Sequence, residues 1–589
     1  MVASQPPTDD TRATHPDSAR LRDDARRRLE LRARLRAEPV IHFRRPVERP
    51  FTALERDRVT ILFGGLSTKH ERLIEAAFAS SGYTARALPQ PDLAACHVGR
   101  QYCDNGLCNP AYFTIGSLVG YLQQLEAGGL TRQEILTRYV FFTAGSCGPC
   151  RFGMYEAQYR LALRHAGFEG FRVLLFQQDD GVRADTGEPG LKFSLHLGLG
   201  VVNAFNVADA LQAFGYETRP FELAPGTTDR QLEQAVAAAA GLVASRRRLT
   251  APDGAPRWLY WIAGSQRLAP YVNARAHLYG AWPHQLADAC AASLDGIEVD
   301  RLRVKPVVKV TGEFWAQSTE GDGNFRMFEF LEREGAHVLV EPIGGWVLYL
   351  VEYWRQRLLQ RRGLEAPRSG PRAARLRATL RDHARVARRL LLLSAGERIY
   401  RDQYERLRAA LALPEGLVNQ RTLARLADPF YRSLARGGEG HLEVAKHLYY
   451  MTHQKAHMVL SLKPFGCMPS TQSDGVQSAV VARVADTIFV PVETGAEGEL
   501  AAQSRVQMAL VDARARARTE FTRALASSGR SLDEIRAFVD AHPALRRATC
   551  AVPRHPGVAG VAANFVLHVA RLMRRGRTPA HLYASGQGG

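Results

Sequence analysis

The segment Met458-Val459-Leu460-Ser461-Leu462-Lys463-Pro464-Phe465-Gly466-Cys467-Met468-Pro469 opens as an apolar run and passes directly into a turn of Pro, Gly and Pro that carries Cys467. A short apolar run bounded by turn residues is the pattern of a strand covered on both faces, as in a parallel sheet. The same figure stands earlier in the chain, where Tyr139-Val140-Phe141-Phe142-Thr143 leads into Cys147-Gly148-Pro149-Cys150-Arg151. Working outward from that earlier copy, 58–64 reads as a buried strand, 69–81 as a helix, 84–88 as the next strand, 109–124 and 131–137 as helices, 152–166 as a helix and 171–176 as a strand. Around the later copy the rhythm repeats: 307–310 strand, 324–334 helix, 337–340 strand, 473–484 helix and 487–492 strand, with 351–455 mostly helical. Strand, turn, helix and strand at these lengths imply parallel sheets with crossover helices, so the expectation is an α/β fold of two domains. Cys467 then holds in the second unit the place that Cys150 holds in the first. In open α/β sheets ligands sit beyond the carboxyl ends of the strands, where both turns fall.

A third cysteine lies in a comparable turn, Gly106-Leu107-Cys108-Asn109-Pro110. Core cysteines need no glycine and proline beside them, whereas a metal site needs backbone turns that aim sulfur inward. Cys108, Cys150 and Cys467 are therefore read as thiolates converging on one metal centre. Two other readings stand beside this one. Cys147-x-x-Cys150 after a strand fits a thioredoxin-like dithiol, which leaves Cys467 without a role. Cys103, Cys108, Cys147 and Cys150 fit a structural zinc site, although short knuckle spacing occurs only once among them. Cys96, Cys290 and Cys550 lack flanking turns and read as packing residues. His453 and His457 are spaced four apart on an expected helix, but Gln454 follows the first where a zinc protease places Glu, so they read as surface or core histidines. Glu313, after Thr311 and Gly312, reads either as a group behind the metal ligands or as a helix-start carboxylate.

The 589 residues carry a net charge of +19, with 46% hydrophobic and 23% charged residues, which suits a soluble intracellular protein of two or more domains. Eight cysteines without a recognisable export signal point to reduced thiols, metal ligands or redox groups in the cytoplasm. The apolar stretch 557–573 is interrupted by Asn564, His568 and Arg571, so no membrane anchor is expected. Residues 351–390 hold twelve Arg against Glu352, Glu365 and Asp382, a local balance of 12 − 3 = +9. A solvated face or an anion-binding surface would explain it. No aromatic stacking residues or known module accompany these arginines, so an acidic protein or a phosphorylated ligand is preferred over nucleic acid. The first fifty residues, twelve Arg against eight acids, read as a charged helix or tail.

Taken in order, Cys108-Asn109-Pro110, Cys150-Arg151-Phe152-Gly153-Met154-Tyr155, Val310-Thr311-Gly312-Glu313-Phe314 and Lys463 to Pro469 resemble the 2-hydroxyacyl-CoA dehydratase superfamily. More narrowly, they are similar to the region that follows the ATPase modules in acyl-CoA dehydratase activase-related proteins, over roughly residues 58 to 515. The resemblance implies two flavodoxin- or Rossmann-like domains that hold an iron–sulfur cluster through Cys108, Cys150 and Cys467. It also implies low-potential electron transfer, with an acyl-CoA as substrate. A [4Fe-4S] cube with three protein thiolates leaves one iron open; Cys103 or Cys147 would complete the cube or help to hold a larger cluster. Arg151 and the helix amides after it would favour ionised sulfur. No Gly-x-x-x-x-Gly-Lys-Ser/Thr loop occurs, so the electron donor is expected to be a separate ATP-dependent activase. The Arg-rich segment would meet CoA phosphates or dock that activase, and a dehydratase- or reductase-like component, a non-catalytic electron carrier and a dithiol oxidoreductase are the functions to be weighed. The expected organisation is a basic tail 1–50, a first α/β domain 51–235, a connecting segment 236–302, a second α/β domain 303–520 with a helical insertion 351–455, and a helical extension 521–589.

Overall fold

A computed structural model describes residues 23–24, 26–31, 48–145, 150–177, 181–182, 190–246, 258, 265–364, 371–435, 438–484, 486–495 and 498–575. The chain divides into two units, Met1–Glu48 and Arg49–Gly589. Within the first unit, described residues between 23 and 31 are helical and exposed, with an Arg26–Glu30 pair one turn apart at 3.4 Å.

Among the described residues of the large unit, nine strands form two sheets. The first contains β1 (Thr60–Phe63), β2 (Thr84–Ala87), β3 (Tyr139–Gly145), β4 (Val173–Gln177) and β5 (Gly181–Val182) in the order β2-β1-β3-β4-β5; only the short β5 is antiparallel. The second contains β6 (Val307–Gly312), β7 (His337–Leu339), β8 (Met458–Pro464) and β9 (Phe489–Thr494) in the order β7-β6-β8-β9, all parallel. Both sheets therefore share one strand order, second-first-third-fourth. Chain direction across each sheet reverses between its first and third strands, which marks the crevice where ligands collect in such folds. The two-domain α/β expectation is met, and the repeat read from the two cysteine turns is a repeat of topology: β3 and β8 are both third strands.

The strands form where apolar and β-branched residues cover both faces, and every residue of β6 and of β8 is buried. Between the sheets runs the helix Leu195–Thr218, buried along much of its length and packed against the helices Thr68–Ser80, Ile343–Arg361 and Arg372–Ala410 and against β7. Among the described residues this is the one helix long and apolar enough to cross a membrane, and 67% of its most apolar window is buried inside the protein. Its composition is thus accounted for by its position as an internal spine. The helices Thr227–Ala244 and Ala281–Leu294, from the expected connecting segment and its border, pack into the first core through Val243, Trp282, Leu286 and Cys290. A separate core near the chain end gathers Ile535, Val539, Leu545, Cys550 and Phe565.

Candidate functional site

All three cysteines singled out in the sequence are helix N-caps. Cys108 precedes the helix Asn109–Ala127, Cys150 a 3-10 turn at Arg151–Met154 that continues into the helix Tyr155–His165, and Cys467 the helix Met468–Arg483. Each has extended backbone angles, and none uses its sulfur to cap its own helix. At each helix end the first-turn amides favour negative charge on sulfur: those of Ala111, Phe152 and Ser470 lower the Cys108, Cys150 and Cys467 thiols, against a larger rise from burial.

The turns are locally determined. Cys467 N–H donates to Pro464 O at 3.1 Å, which closes a turn with Gly466 at φ 75°. That left-handed position following a proline-led step is one glycine takes without strain. The Cys108 helix is held by a close crossing with the helix Leu93–Tyr102: a Cβ on Gly116 would lie 1.7 Å from Ala95 O, and one on Gly99 1.9 Å from Tyr112 O. The two halves meet at the cysteine turns, where Asn109 N–H donates to Phe465 O at 3.3 Å, and within the first half Arg151 reaches Gly106 O. A Cβ on Gly466 would lie 3.7 Å from Cys108 Cα and 3.5 Å from Arg151 Nη1.

Electrostatics tie the three thiols to one carboxylate, Glu313. It follows β6, N-caps the helix Phe314–Ser318 and accepts from Ala316 N–H at 2.9 Å. Burial raises the Cys108 thiol, the Tyr155 hydroxyl lowers it and Glu313 raises it again; the Tyr155 hydroxyl stands 2.9 Å from Cys108 Sγ. Cys150 is pushed up to about 12 by burial and by Glu439, Glu313 and Cys108. Cys467 is raised by burial and then by Glu313, with Ser470 opposing. Glu313 is itself raised to about 8 by burial and by Glu439. The site is therefore short of positive charge: each group there pays for ionising and penalises its neighbours.

Glu439 accepts from Phe314 N–H at 2.9 Å, while buried Glu443 accepts from Ser470 Oγ at 2.7 Å and Ser473 Oγ at 2.5 Å. Both carboxyls are raised, chiefly by burial. Behind them lie three buried lysines. Lys309, 0% exposed on β6, donates to Glu341 Oε2 at 2.8 Å and Val340 O at 3.1 Å; Lys446 approaches Glu341 Oε1 at 3.5 Å; Lys463 on β8 contacts Asp474 and lies 4.0 Å from Glu443. Burial opposes ionisation of Glu341, but Lys309 and Lys446 outweigh it and hold the carboxyl below its usual range. None of these charges was singled out from the sequence. The available signal was a lysine inside Val307-Val308-Lys309-Val310 and another closing Leu460-Ser461-Leu462-Lys463, since a charge in a strand buried on both faces needs a partner.

Cys103 is the C-cap of the helix Leu93–Tyr102 and packs with Tyr102, Leu107 and Phe152 in the first domain; burial and then Asp104 push it up to about 12. The charges acting on it do not include Glu313. Cys147 lies outside the described residues. Cys96 packs with Phe113 and Trp315, Cys290 in the first core and Cys550 in the terminal core. The helix expected beneath His453 and His457 ends at Thr452, because Gln454 turns left-handed (φ 49°). His453 is its C-cap, and His457 Nδ1 accepts from Val307 N–H at 2.9 Å at the base of the second sheet. Among the described residues no three His, Cys, Asp or Glu side chains close on a single metal ion.

The fold and site define a two-sheet α/β protein with a thiol centre where its halves meet. No protein-family model matches the chain, and no curated protein matches it.

Proposed function

We propose that this chain is a cytoplasmic iron–sulfur protein in which Cys108, Cys150 and Cys467 hold a [4Fe-4S] or larger cluster. In this reading it is a dehydratase- or reductase-like component, resembling the 2-hydroxyacyl-CoA dehydratase superfamily. It accepts a low-potential electron from a separate ATP-dependent activase and acts on an acyl-CoA-like substrate. The observation that carries the reading is the placing of three helix-capping thiols from three chain segments in the field of one carboxylate.

The donor set fits such a group. In a cubane each thiolate binds a different iron, so the ligand sulfurs stand apart and need not close on one ion. Thiols raised by burial and by Glu313 are stabilised as thiolates once a cationic group lies among them. The buried Asn109 Nδ2 has no partner among the described residues; Asn109 directly follows Cys108, and its amide is a donor suited to sulfide. When bound, the cluster supplies one-electron chemistry. The chain's own residues do the rest: Tyr155 holds Cys108, Arg151 ties the Cys150 turn to Gly106, and Glu313, whose protonated form burial favours, acts on all three sulfurs.

The test is anaerobic purification with iron, acid-labile sulfide and EPR measured on the wild type and on Cys108→Ser, Cys150→Ser and Cys467→Ser. About four irons per chain with matching sulfide, lost in each variant, is the expected result. A chain that takes up no iron on anaerobic reconstitution, or keeps its cluster in all three variants, overturns the reading.

A further inference from the structure

Residues Arg372–Ala410 form one helix of 39 residues, antiparallel to Ile343–Arg361 in a long hairpin. Its faces differ. Asp382, Val386 and Tyr400 are buried and turn toward the rest of the protein, with Asp382 accepting from Gly363 N–H at 3.1 Å. On the far side of the axis, about two fifths of a turn from that face at 3.6 residues per turn, Leu376, Leu380, Ala384, Ala387 and Leu391 recur at steps of four, four, three and four residues, the spacing of a single stripe. This stripe is solvent-facing: Leu376, Leu380 and Leu391 are 62%, 60% and 71% exposed, and both alanines are exposed. Arg377, Arg381, Arg385 and Arg388, also exposed, run alongside it.

Such a surface constrains its occupant. The stripe is narrow, the width of a helix–helix seam and not of a face immersed in lipid, and no exposed aromatic residue accompanies it as in interfacial helices. Arginines beside an apolar seam occupy the flanking positions that pair with acids on an opposing helix. A second copy of this chain would bring arginine against arginine. Residues 1–50, with twelve Arg against eight acids, carry the same sign of charge. With a net charge of +19 on the whole chain, the complement has to come from outside.

We infer that this helix is a docking surface for an acidic amphipathic helix of a partner protein, its leucine seam laid on Leu376–Leu391 and its carboxylates on the arginine row. The site is independent of the cluster reading. The hairpin also has a direct mechanical link to the thiol centre, since the helix Ile343–Arg361 packs Trp346 on Phe314, with ring centroids 5.2 Å apart, and its Tyr349 hydroxyl donates to Gly438 O at 3.3 Å.

The experiment titrates the full chain with a fluorescent synthetic helical peptide whose leucine seam is flanked by glutamates. A glutamine-flanked copy and phosphatidylglycerol vesicles are run beside it. The acidic peptide is expected to bind, with affinity falling steeply as salt rises. Leu376→Glu/Leu380→Glu and Arg381→Glu/Arg388→Glu, all at exposed positions and checked for an unchanged melting curve, should each weaken it by about tenfold or more. Equal binding of the two peptides, binding unaffected by both variants, or binding to vesicles with none to the acidic peptide would overturn the inference. So would self-association of the chain that the Leu376→Glu/Leu380→Glu variant abolishes.

Discussion

In the first sheet, β1 is followed by Ser67, whose Oγ lies 2.7 Å from His70 Nδ1; His70 Nε2 in turn lies 3.0 Å from Asp209 Oδ1, and all three are buried. In the second, β6 is followed by Glu313, with Glu439, Glu443 and the buried lysines 309, 446 and 463 ranged behind it. Both Ser67 and Glu313 N-cap the helix after the first strand, so one topological position carries a neutral hydroxyl in one half and a carboxylate in the other. The Ser–His–Asp row has the residue types of a hydrolytic triad with the ring nitrogens exchanged, Ser67 is 0% exposed, and Asp209 is committed to Ile343 N–H at 2.8 Å and Gly344 N–H at 2.7 Å. It reads as a buried tie between the spine helix and the Ile343–Arg361 helix. The difference teaches that the first half contributes geometry, two sulfurs on a rigid apolar scaffold. The second contributes charge.

Variants can break this comparison at four strengths. The largest effect is expected at Gly312, which has φ 126° and whose Cβ would lie 1.9 Å from Leu462 O, so the third strand cannot pair beside any larger residue. Gly312→Ala should cost about 3–5 kcal/mol in urea unfolding, combining a left-handed penalty with a backbone clash. Gly65→Ala in the first half, also at positive φ but with its nearest neighbour at 3.8 Å, should cost only about 1–2 kcal/mol. Equal losses at the two sites would remove the distinction between a tight and a roomy crevice.

Next comes Lys309→Met, which leaves Glu341 with Lys446 alone and should cost about 3 kcal/mol, because breaking a buried pair strands a charge. The double variant Lys309→Met/Glu341→Gln should recover most of that loss in the same assay; failure to recover would show that Lys309 acts through packing.

A smaller effect is a pH slope shared by both halves. Glu71, buried beside β1 and accepting from Leu66 N–H at 3.1 Å and Gln90 Nε2 at 2.8 Å, is raised to about 8 by burial, as Glu313 is. Between about pH 4.5 and 8 the folded protein keeps protons there that the unfolded chain releases. Stability contributed by the protonated carboxyls is therefore full at low pH and lost as pH rises through 8. Glu71→Gln and Glu313→Gln should each flatten that decline in the metal-free protein, gaining on the order of 2 kcal/mol at pH 9 and little at pH 5. Denaturation curves at the two pH values decide it, and a gain at pH 5 as large as that at pH 9 would contradict the assignment. The smallest change is Ser67→Ala, which should cost about 1 kcal/mol in the same unfolding assay for the lost hydrogen bonding.

Strands and crossovers were legible because parallel strands write themselves as unbroken apolar runs. β8 begins at Met458, and Lys463 and Pro464, which open the turn in the sequence, still continue the ladder with β9. Local turn chemistry likewise marked Cys108, Cys150 and Cys467. The carboxylates and lysines were harder to find because their meaning lies in long-range pairing: Lys309 and Glu341 are 32 residues apart, and Ser67 reaches Gln212 across 145. The extent of the Met468–Arg483 helix was missed at its start, where Pro469 reads as a turn residue but occupies the first helical turn, a position that needs no N–H.

Cys108 and Cys150 ride on the first sheet and Cys467 on the second, so the triangle of sulfurs has two corners on one half and one on the other. A hinge movement about the spine helix would stretch two edges of that triangle and leave the third unchanged. Under the proposed reading, a group held by all three thiols would be a clasp between the halves as well as a cofactor, and the exchange rate of the Asn109 amide, which closes the seam onto Phe465 O, is the natural gauge of how firmly that seam is shut.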